Sequence, residues 1–296
     1  MRPTGLPYLL SFLAKYSAES RSVNFAGEWS ALKAEYRPAG PEERKAISRR
    51  FVEIADAIVL PNGVRKTTYP ARHDPILRIV GEDPQFAIER DTLRVLEVPS
   101  SIGLTSLDVH ESLSKRYRIE KYVLADLAWD VLIDPERGCV FDEAGNLLQV
   151  RHGRRFFSVY RPQVSGNLYG VAASSLLAPL NLVSSYFKKK YRASESRRLD
   201  RVALVHPDVE ARIGPNGFSL EKMDVFSEVR GEFDLILSFN LLQKNYFPEE
   251  RIQEGFANLT GALSEGGLLV MGNTESFAVW RKVQGRPTLL HRSGDF

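Results

Sequence analysis

The amino-acid sequence predicts an α/β protein: a doubly wound, mainly parallel seven-stranded sheet with an N-terminal helical cap and an insertion. Two stretches predict it. Phe233 to Phe239 is a short apolar run with one acid, Asp234, near its start, the pattern of a strand buried on both faces. Pro248 then opens a helix with Glu249 and Glu250 in its first turn, where acids suit the helix dipole. Ile252, Phe256, Leu259 and Leu263 give that helix one apolar face. Gly266 and Gly267 are expected to end it, and Leu268 to Met271 to form a second buried strand. Strand, helix, strand is one unit of a parallel sheet. The second stretch runs from Leu93. Leu93 to Val98 reads as a strand, Pro99 to Gly103 as a tight turn, and Leu104 to Leu113 as a helix.

Composition sets bounds. With 296 residues, 43% of them hydrophobic, the chain is long enough for one large domain or a domain with an accessory part. A net charge of +3 gives no ground for a nucleic-acid partner. The single cysteine, Cys139, excludes an internal disulfide and a cysteine-based zinc site. Residues 6 to 14 are apolar, but Lys15 follows closely and no small-residue cleavage site appears, so a first helix is expected rather than a signal peptide, and a cytoplasmic protein.

Residues 1 to 60 carry three helical stripes: Leu9, Phe12, Leu13 and Tyr16; Phe25, Trp29, Leu32 and Tyr36; Ile47, Phe51, Ile54, Ala55 and Ile58. Core packing accounts for all three. Residues 1–90 are the expected helical cap. His73 and Asp74 lie in a loop-rich stretch before the sheet, where a capping role is expected. Lys121 to Asp126, Arg201 to His206 and Phe218 to Met223 read as further strands. Cys139 to Val150 reads as a hairpin, and Phe277 to Trp280 with Thr288 to His291 as a closing antiparallel pair.

FDLILSFNLLQKNYF followed by LSEGGLLVMGNTES resembles the end of a class I S-adenosylmethionine (SAM)-dependent methyltransferase, and more narrowly the CheR-type chemotaxis receptor methyltransferases. Asn240 and Glu275 match that pattern. Phe239 stands where those enzymes carry arginine, which argues against a chemotaxis receptor as acceptor. The resemblance implies a Rossmann-like SAM-binding domain over 91–296, with 135–200 as an insertion.

The resemblance places SAM at the end of the first strand. Its pattern there is acid-x-Gly-x-Gly-x-Gly; this chain keeps Glu97 and Gly103 and has Pro99 and Ser101 at the other two positions. Ser100, Ser101 and Gly103 are small enough for close backbone approach. The cofactor's carboxylate suits a helix N-terminus, and its ammonium and sulfonium suit a nearby acid. Asp126 sits at the distance from Gly103 where such folds place a ribose-binding carboxylate; Asp130, Asp134 and His206 are weaker alternatives. Asp224 matches the acid expected near the adenine amino group, with Met223 and Val225 as walls for the ring.

The insertion carries a basic patch, Arg151, His152, Arg154, Arg155 and Arg161, interleaved with Phe156, Phe157 and Tyr160, suited either to an anionic substrate or to a solvated strand face. Pro162 to Phe187 has no charged residue, and Lys188 to Lys190 follow. Its asparagines, proline and serines make a poor membrane span, so a buried or membrane-surface segment is expected, with peripheral membrane contact through 162–190.

Together these features predict methyl transfer from SAM to an unidentified small or lipid-linked acceptor. Asn240 is expected both to contact the cofactor and to orient the acceptor, and His152, His73 or Tyr246 to be the proton acceptor where the nucleophile is a hydroxyl or amine. A silent SAM-fold binding module is the alternative, supported by Pro99 and the missing glycines. A short-chain dehydrogenase reading rests on Ser174, Tyr186 and Lys190, but the glycine fingerprint it needs near the start of the chain is absent.

Overall fold

The computed structural model describes residues 25–57, 66, 68, 73–152, 155–158, 185–215, 217–244, 246–273 and 276–294. The expected first helix over Leu9 to Tyr16, the segment 159–184 and Glu275 lie outside the described residues. The helices, in chain order, are α1 (Phe25–Tyr36), α2 (Pro41–Ala57), α3 (Asp74–Glu82), α4 (Leu104–Ser114), α5 (Pro207–Glu210) and α6 (Glu249–Gly261). The strands are β1 (Thr92–Glu97), β2 (Arg118–Asp126), β3 (Asp130–Asp134), β4 (Cys139–Phe141), β5 (Leu147–His152), β6 (Arg155–Ser158), β7 (Asp200–Ala203), β8 (Phe218–Lys222), β9 (Phe233–Phe239), β10 (Leu263–Gly272), β11 (Phe277–Val283) and β12 (Arg286–Arg292). They form two compact units, one from Met1–Thr67 with Asp130–Leu204 and one from Thr68–Trp129 with Val205–Phe296.

The first unit pairs α1 and α2 with a five-stranded antiparallel sheet in the order β6-β5-β4-β3-β7. Trp29, fully buried, donates its indole N–H to the Ala203 carbonyl at 2.9 Å and meets the edge of Phe51 at 4.9 Å. Of the α1 and α2 stripes, Trp29, Leu32, Tyr36, Ile47, Phe51, Ile54 and Ala55 are core, as expected; the Phe25 side chain and Ile58 lie outside the described residues. The expected hairpin is β4–β5, whose turn Asp142 closes by accepting from Asn146 N (2.7 Å) and Nδ2 (2.8 Å). The division differs from a cap over 1–90 with a separate 135–200 insertion: the second segment starts at Asp130 and shares its unit with the chain up to Thr67. β7 pairs antiparallel with β3 and so joins this sheet rather than the parallel one.

The second unit holds a seven-stranded sheet in the order β12-β11-β10-β9-β1-β2-β8. β10, β9, β1, β2 and β8 pair in parallel, while β11 and β12 form the antiparallel hairpin at one edge. Among the parallel strands, chain order runs outward from β1 through β2 to β8 on one side, and through β9 to β10 on the other. This reversal between β1 and β9 is the topological switch point of a doubly wound sheet, where ligands bind beyond the strands' carboxyl ends.

The Gly266–Gly267 pair lies elsewhere than expected. α6 already ends at Gly261, and the glycines form a bulge inside β10, where pairing with β9 jumps from Leu263 to Leu268. Gly266 takes φ 77°, and a Cβ on Gly267 would sit 2.9 Å from the Ser264 carbonyl oxygen. The bulge therefore needs both glycines, and Leu263 is a strand residue.

A buried carboxylate ties β1, β9 and β10 together at their amino ends. Asp234 accepts from Arg94 N at 2.8 Å and Ser264 Oγ at 2.7 Å, and pairs with Arg90 at 2.8 Å. Burial alone would raise its pKa, but the Ser264 hydroxyl, the Arg94 N–H and guanidinium, and Arg90 hold it below the usual carboxylate range. A depressed folded-state pKa means that this contribution is present above about pH 4 and is lost as pH falls through the folded value. Asp234→Asn is expected to lower stability by about 2 kcal/mol at neutral pH. Urea unfolding should show the gap between variant and wild type narrowing in acid; a gap independent of pH would contradict the assignment.

Candidate functional site

The switch point is built on the segment joining β1 to α4. Val98 N donates to Leu237 O at 2.9 Å and Ser100 N to Ala125 O at 2.9 Å, so the turn is fixed to both neighbouring strands. Ser100 Oγ donates to Glu97 O at 2.6 Å. Ser101 adopts φ 55°, and its N–H donates to Asp126 Oδ2 at 2.8 Å. Gly103 N closes the turn on Ser100 O at 2.8 Å. α4 begins at Leu104, and its N-cap residue, Gly103, makes no side-chain cap bond. Gly103 takes φ 78°, and a Cβ there would lie 2.9 Å from Val209 Cγ1 on α5 and 3.3 Å from Leu124 Cδ1. Conformation and close packing both require glycine at this position.

The expected cofactor acids lie at the ends of neighbouring strands in three different environments. Asp126, buried at the end of β2, accepts from Ser101 N and, at 3.3 Å, from Ala128 N. Its backbone oxygen accepts from Met223 N at 2.9 Å, which brings the segment after β8 alongside. Glu97 is buried at the end of β1, and its Oε2 accepts from the Tyr122 hydroxyl at 2.8 Å. Burial pushes its carboxyl up to about 7, against the downward pull of that hydroxyl. Asp224 is exposed and closes its own turn by accepting from Phe226 N at 3.0 Å. Met223 is half-buried, and Val225 is buried, with its carbonyl held by Asn258 Nδ2 at 2.9 Å.

Across the switch point, β9 ends in Phe239, whose buried ring stacks on His73 with centroids 3.9 Å apart and planes 17° apart. His73 is itself buried, and its carbonyl accepts from Leu77 N at 2.8 Å as α3 begins. Asn240 follows with φ 60°; its N–H donates to Gly272 O at 2.8 Å, and Gln243 Nε2 approaches its Oδ1 at 3.5 Å. Tyr246 is half-buried, its N–H on Gln243 O at 2.9 Å.

Glu97, Ser100, Ser101, Gly103, Asp126, Met223, Asp224, Val225, Asn240 and Tyr246 thus share the second unit. His152 lies on β5 of the first unit, and its side chain is outside the described residues. The weaker ribose candidates are engaged elsewhere. Asp130 pairs with Arg201, Asp134 accepts from Glu136 N and Arg137 N, and buried His206 accepts from Asp208 N at 3.3 Å. Of the dehydrogenase trio, Ser174 lies outside the described residues, and Tyr186 and Lys190 are exposed on the first unit. Three features gave no signal in the sequence: the Ser101–Asp126 bond, Tyr122 as partner of Glu97, and the His73–Phe239 stack.

No protein-family model matches the chain, and no curated protein matches it. Among solved structures it is similar to a SAM-dependent methyltransferase from Methanococcus maripaludis, described as putative, at 13% identity over 68% of this chain and 57% of that one, with a TM-score of 0.29. It is also similar to the N-methyltransferase NodS from Bradyrhizobium japonicum in complex with S-adenosyl-L-homocysteine, at 11% identity, 82% and 71% coverage and a TM-score of 0.28. An O-methyltransferase family protein from Burkholderia thailandensis gives 11% identity, 84% and 49% coverage and a TM-score of 0.32. The chain spans about half the length of several proteins it resembles, 41% in the case of LaPhzM and 49% in the Burkholderia protein. At this level of likeness, function rests on the chain's own residues.

Glu97 supplies a test of the local electrostatics. Its folded-state pKa is raised, so the stability it contributes is fully present below about pH 4.3 and is lost as pH rises through about 7. Glu97→Gln cannot ionise. The stability of this variant relative to wild type is expected to rise by on the order of 3 kcal/mol from acid to mildly alkaline pH. Chemical denaturation across that range measures it, and a flat difference would mean that folding leaves the carboxyl's pKa unshifted.

Proposed function

We propose that the second unit binds SAM at the switch point and transfers its methyl group to a small or lipid-linked acceptor. The observation that carries this reading is the switch-point turn itself. An acid at the end of β2 pins a left-handed loop, and that loop leads through Gly103, an N-cap without a side chain, into α4. Bound there, SAM supplies an electrophilic sulfonium methyl. The N–H groups at the start of α4 suit its carboxylate. Glu97, Ser100, Ser101 and Gly103 form the floor, Asp126 faces the ribose, and Met223, Asp224 and Val225 flank the adenine. Asn240, held in a left-handed conformation at the end of β9, orients the acceptor. Tyr246 takes the proton where the acceptor is a hydroxyl or amine, with His73 of the same unit as the other candidate; a carboxylate acceptor needs no base. Alignment of nucleophile, methyl and sulfur is worth up to roughly 7–11 kcal/mol, which removes the need for a dedicated catalytic motif.

A second reading, a silent SAM-fold module, has a specific observation in its favour: both Asp126 oxygens already accept backbone N–H groups, and Val209 packs against Gly103. Titration calorimetry separates the two. Methyl transfer requires that SAM and S-adenosylhomocysteine bind the wild type, and that Asp126→Ala weakens both by about tenfold or more. Asp126→Asn, which can still accept from Ser101 N, should fall between. Absence of binding by a folded wild type would favour the silent module.

A further inference from the structure

The stretch Ser185 to Arg198 holds an exposed cationic face on the first unit. Ser185 to Lys190 is helical. Phe187 is buried among Cys139, Phe141, Leu147 and Val150, with Tyr191 and Ala193 packed against the same cluster. Tyr191 N donates to Phe187 O at 2.8 Å. The apolar side of the segment is therefore held on the β4–β5 hairpin, and its other residues face outward. Lys188, Lys189, Lys190, Arg192, Arg197 and Arg198 are all exposed, against a single acid, Glu195. Glu195 lies 3.9 Å from Arg137, and Arg198 pairs with Asp200 at 2.8 Å. Among the described residues no carboxylate comes within ion-pairing distance of Lys188, Lys189, Lys190 or Arg192. Tyr186, 57% exposed, shares this face, with the Lys190 ammonium 5.7 Å from its ring and 5.3 Å from that of Tyr191.

Folding offers no return for four clustered cations without counter-charges, and mutual repulsion costs some stability. Such a cluster beside amphipathic aromatics matches the chemistry of an anionic bilayer surface, where each basic residue contributes about 1 kcal/mol and tyrosine sits at headgroup level. The sequence around it favours lipid over nucleic acid. Pro162 to Phe187, immediately upstream, carries no charged residue, and the whole chain is only +3, so the positive charge is local rather than spread along a groove. No helix among the described residues is long and apolar enough to cross a membrane. We propose that the face formed by Tyr186, Lys188, Lys189, Lys190 and Arg192 docks the full chain on anionic phospholipid headgroups.

Co-sedimentation of the full chain with vesicles tests this independently of SAM binding. The wild type is expected to partition onto mixed phosphatidylserine–phosphatidylcholine vesicles, to ignore pure phosphatidylcholine, and to be released by high salt. The Lys188→Gln, Lys189→Gln, Lys190→Gln triple variant should lose roughly a hundredfold in partitioning at about 1 kcal/mol per lysine, with an unchanged thermal melt. Should that variant melt early, Lys189→Gln alone, with a loss of about fivefold, gives the same readout. Equal binding to both vesicle types, or wild-type binding by the folded triple variant, would overturn the proposal. So would binding of single-stranded RNA that the triple variant loses while vesicles bind neither protein.

Discussion

Everything at the candidate site follows from one constraint, the parallel pairing of β1 with β9. Parallel neighbours cannot be joined by a tight turn, so each connection leaves the sheet and returns across a face. Because β2 lies on one side of β1 and β9 on the other, the segments leaving β1 and β9 at their carboxyl ends diverge. The backbone turns sharply there, and Ser101, Gly103 and Asn240 all have positive φ. At the opposite end of the same strands nothing needs to open, and the buried Asp234 network closes it with two arginines, a serine and a backbone N–H. One end of the sheet is fastened and the other is shaped.

Three acids at three strand ends look alike in the sequence and differ in chemistry because they differ in burial and partners. Asp224, in water, closes a local turn. Asp126, buried, accepts backbone N–H groups from Ser101 and Ala128. Glu97, also buried, has the Tyr122 hydroxyl against a larger desolvation penalty, and its carboxyl moves up to about 7. Sequence spacing locates carboxylates at strand ends; burial and the donors around each set them apart.

The same distinction separates what was legible from what was not. β9 falls on Phe233 to Phe239 as expected, because a strand buried on both faces must be an apolar run, and β1, β2 and β8 lie within a few residues of their expected bounds. The helix stripes of α1 and α2 were legible for the same reason. Pairing was not. β7 reads like any short strand, yet it joins β3 in the antiparallel sheet, since its neighbour is chosen by contacts distant in the chain. Gly266–Gly267 carries the signal of a helix end, but a bulge needs the same left-handed freedom, and nothing local distinguishes the two. His73 and Phe239 are far apart in the chain, and no periodicity connects them. The acids of the site were found individually, while their mutual bonds required coordinates.

The degenerate glycine loop shows how magnitudes settle a departure from pattern. Ser101 stands where the resembled enzymes carry glycine, and it adopts the conformation that glycine would. A left-handed non-glycine residue costs roughly 1–2 kcal/mol. The bond from Ser101 N to the Asp126 carboxylate is buried and 2.8 Å long. Hydrogen bonds to charged groups contribute about 1.5–3 kcal/mol, which covers that strain. The serine therefore does not break the turn while its N–H keeps the bond to Asp126. Accepting an N–H does not by itself exhaust a carboxylate, which offers about four acceptor sites, so holding the loop and meeting a ribose diol are compatible roles for one residue. Gly103 has no such substitute: its φ is equally left-handed, and Val209 occupies the space where a side chain would go. The glycine that survives is the one at which a hydrogen bond cannot compensate for a steric clash.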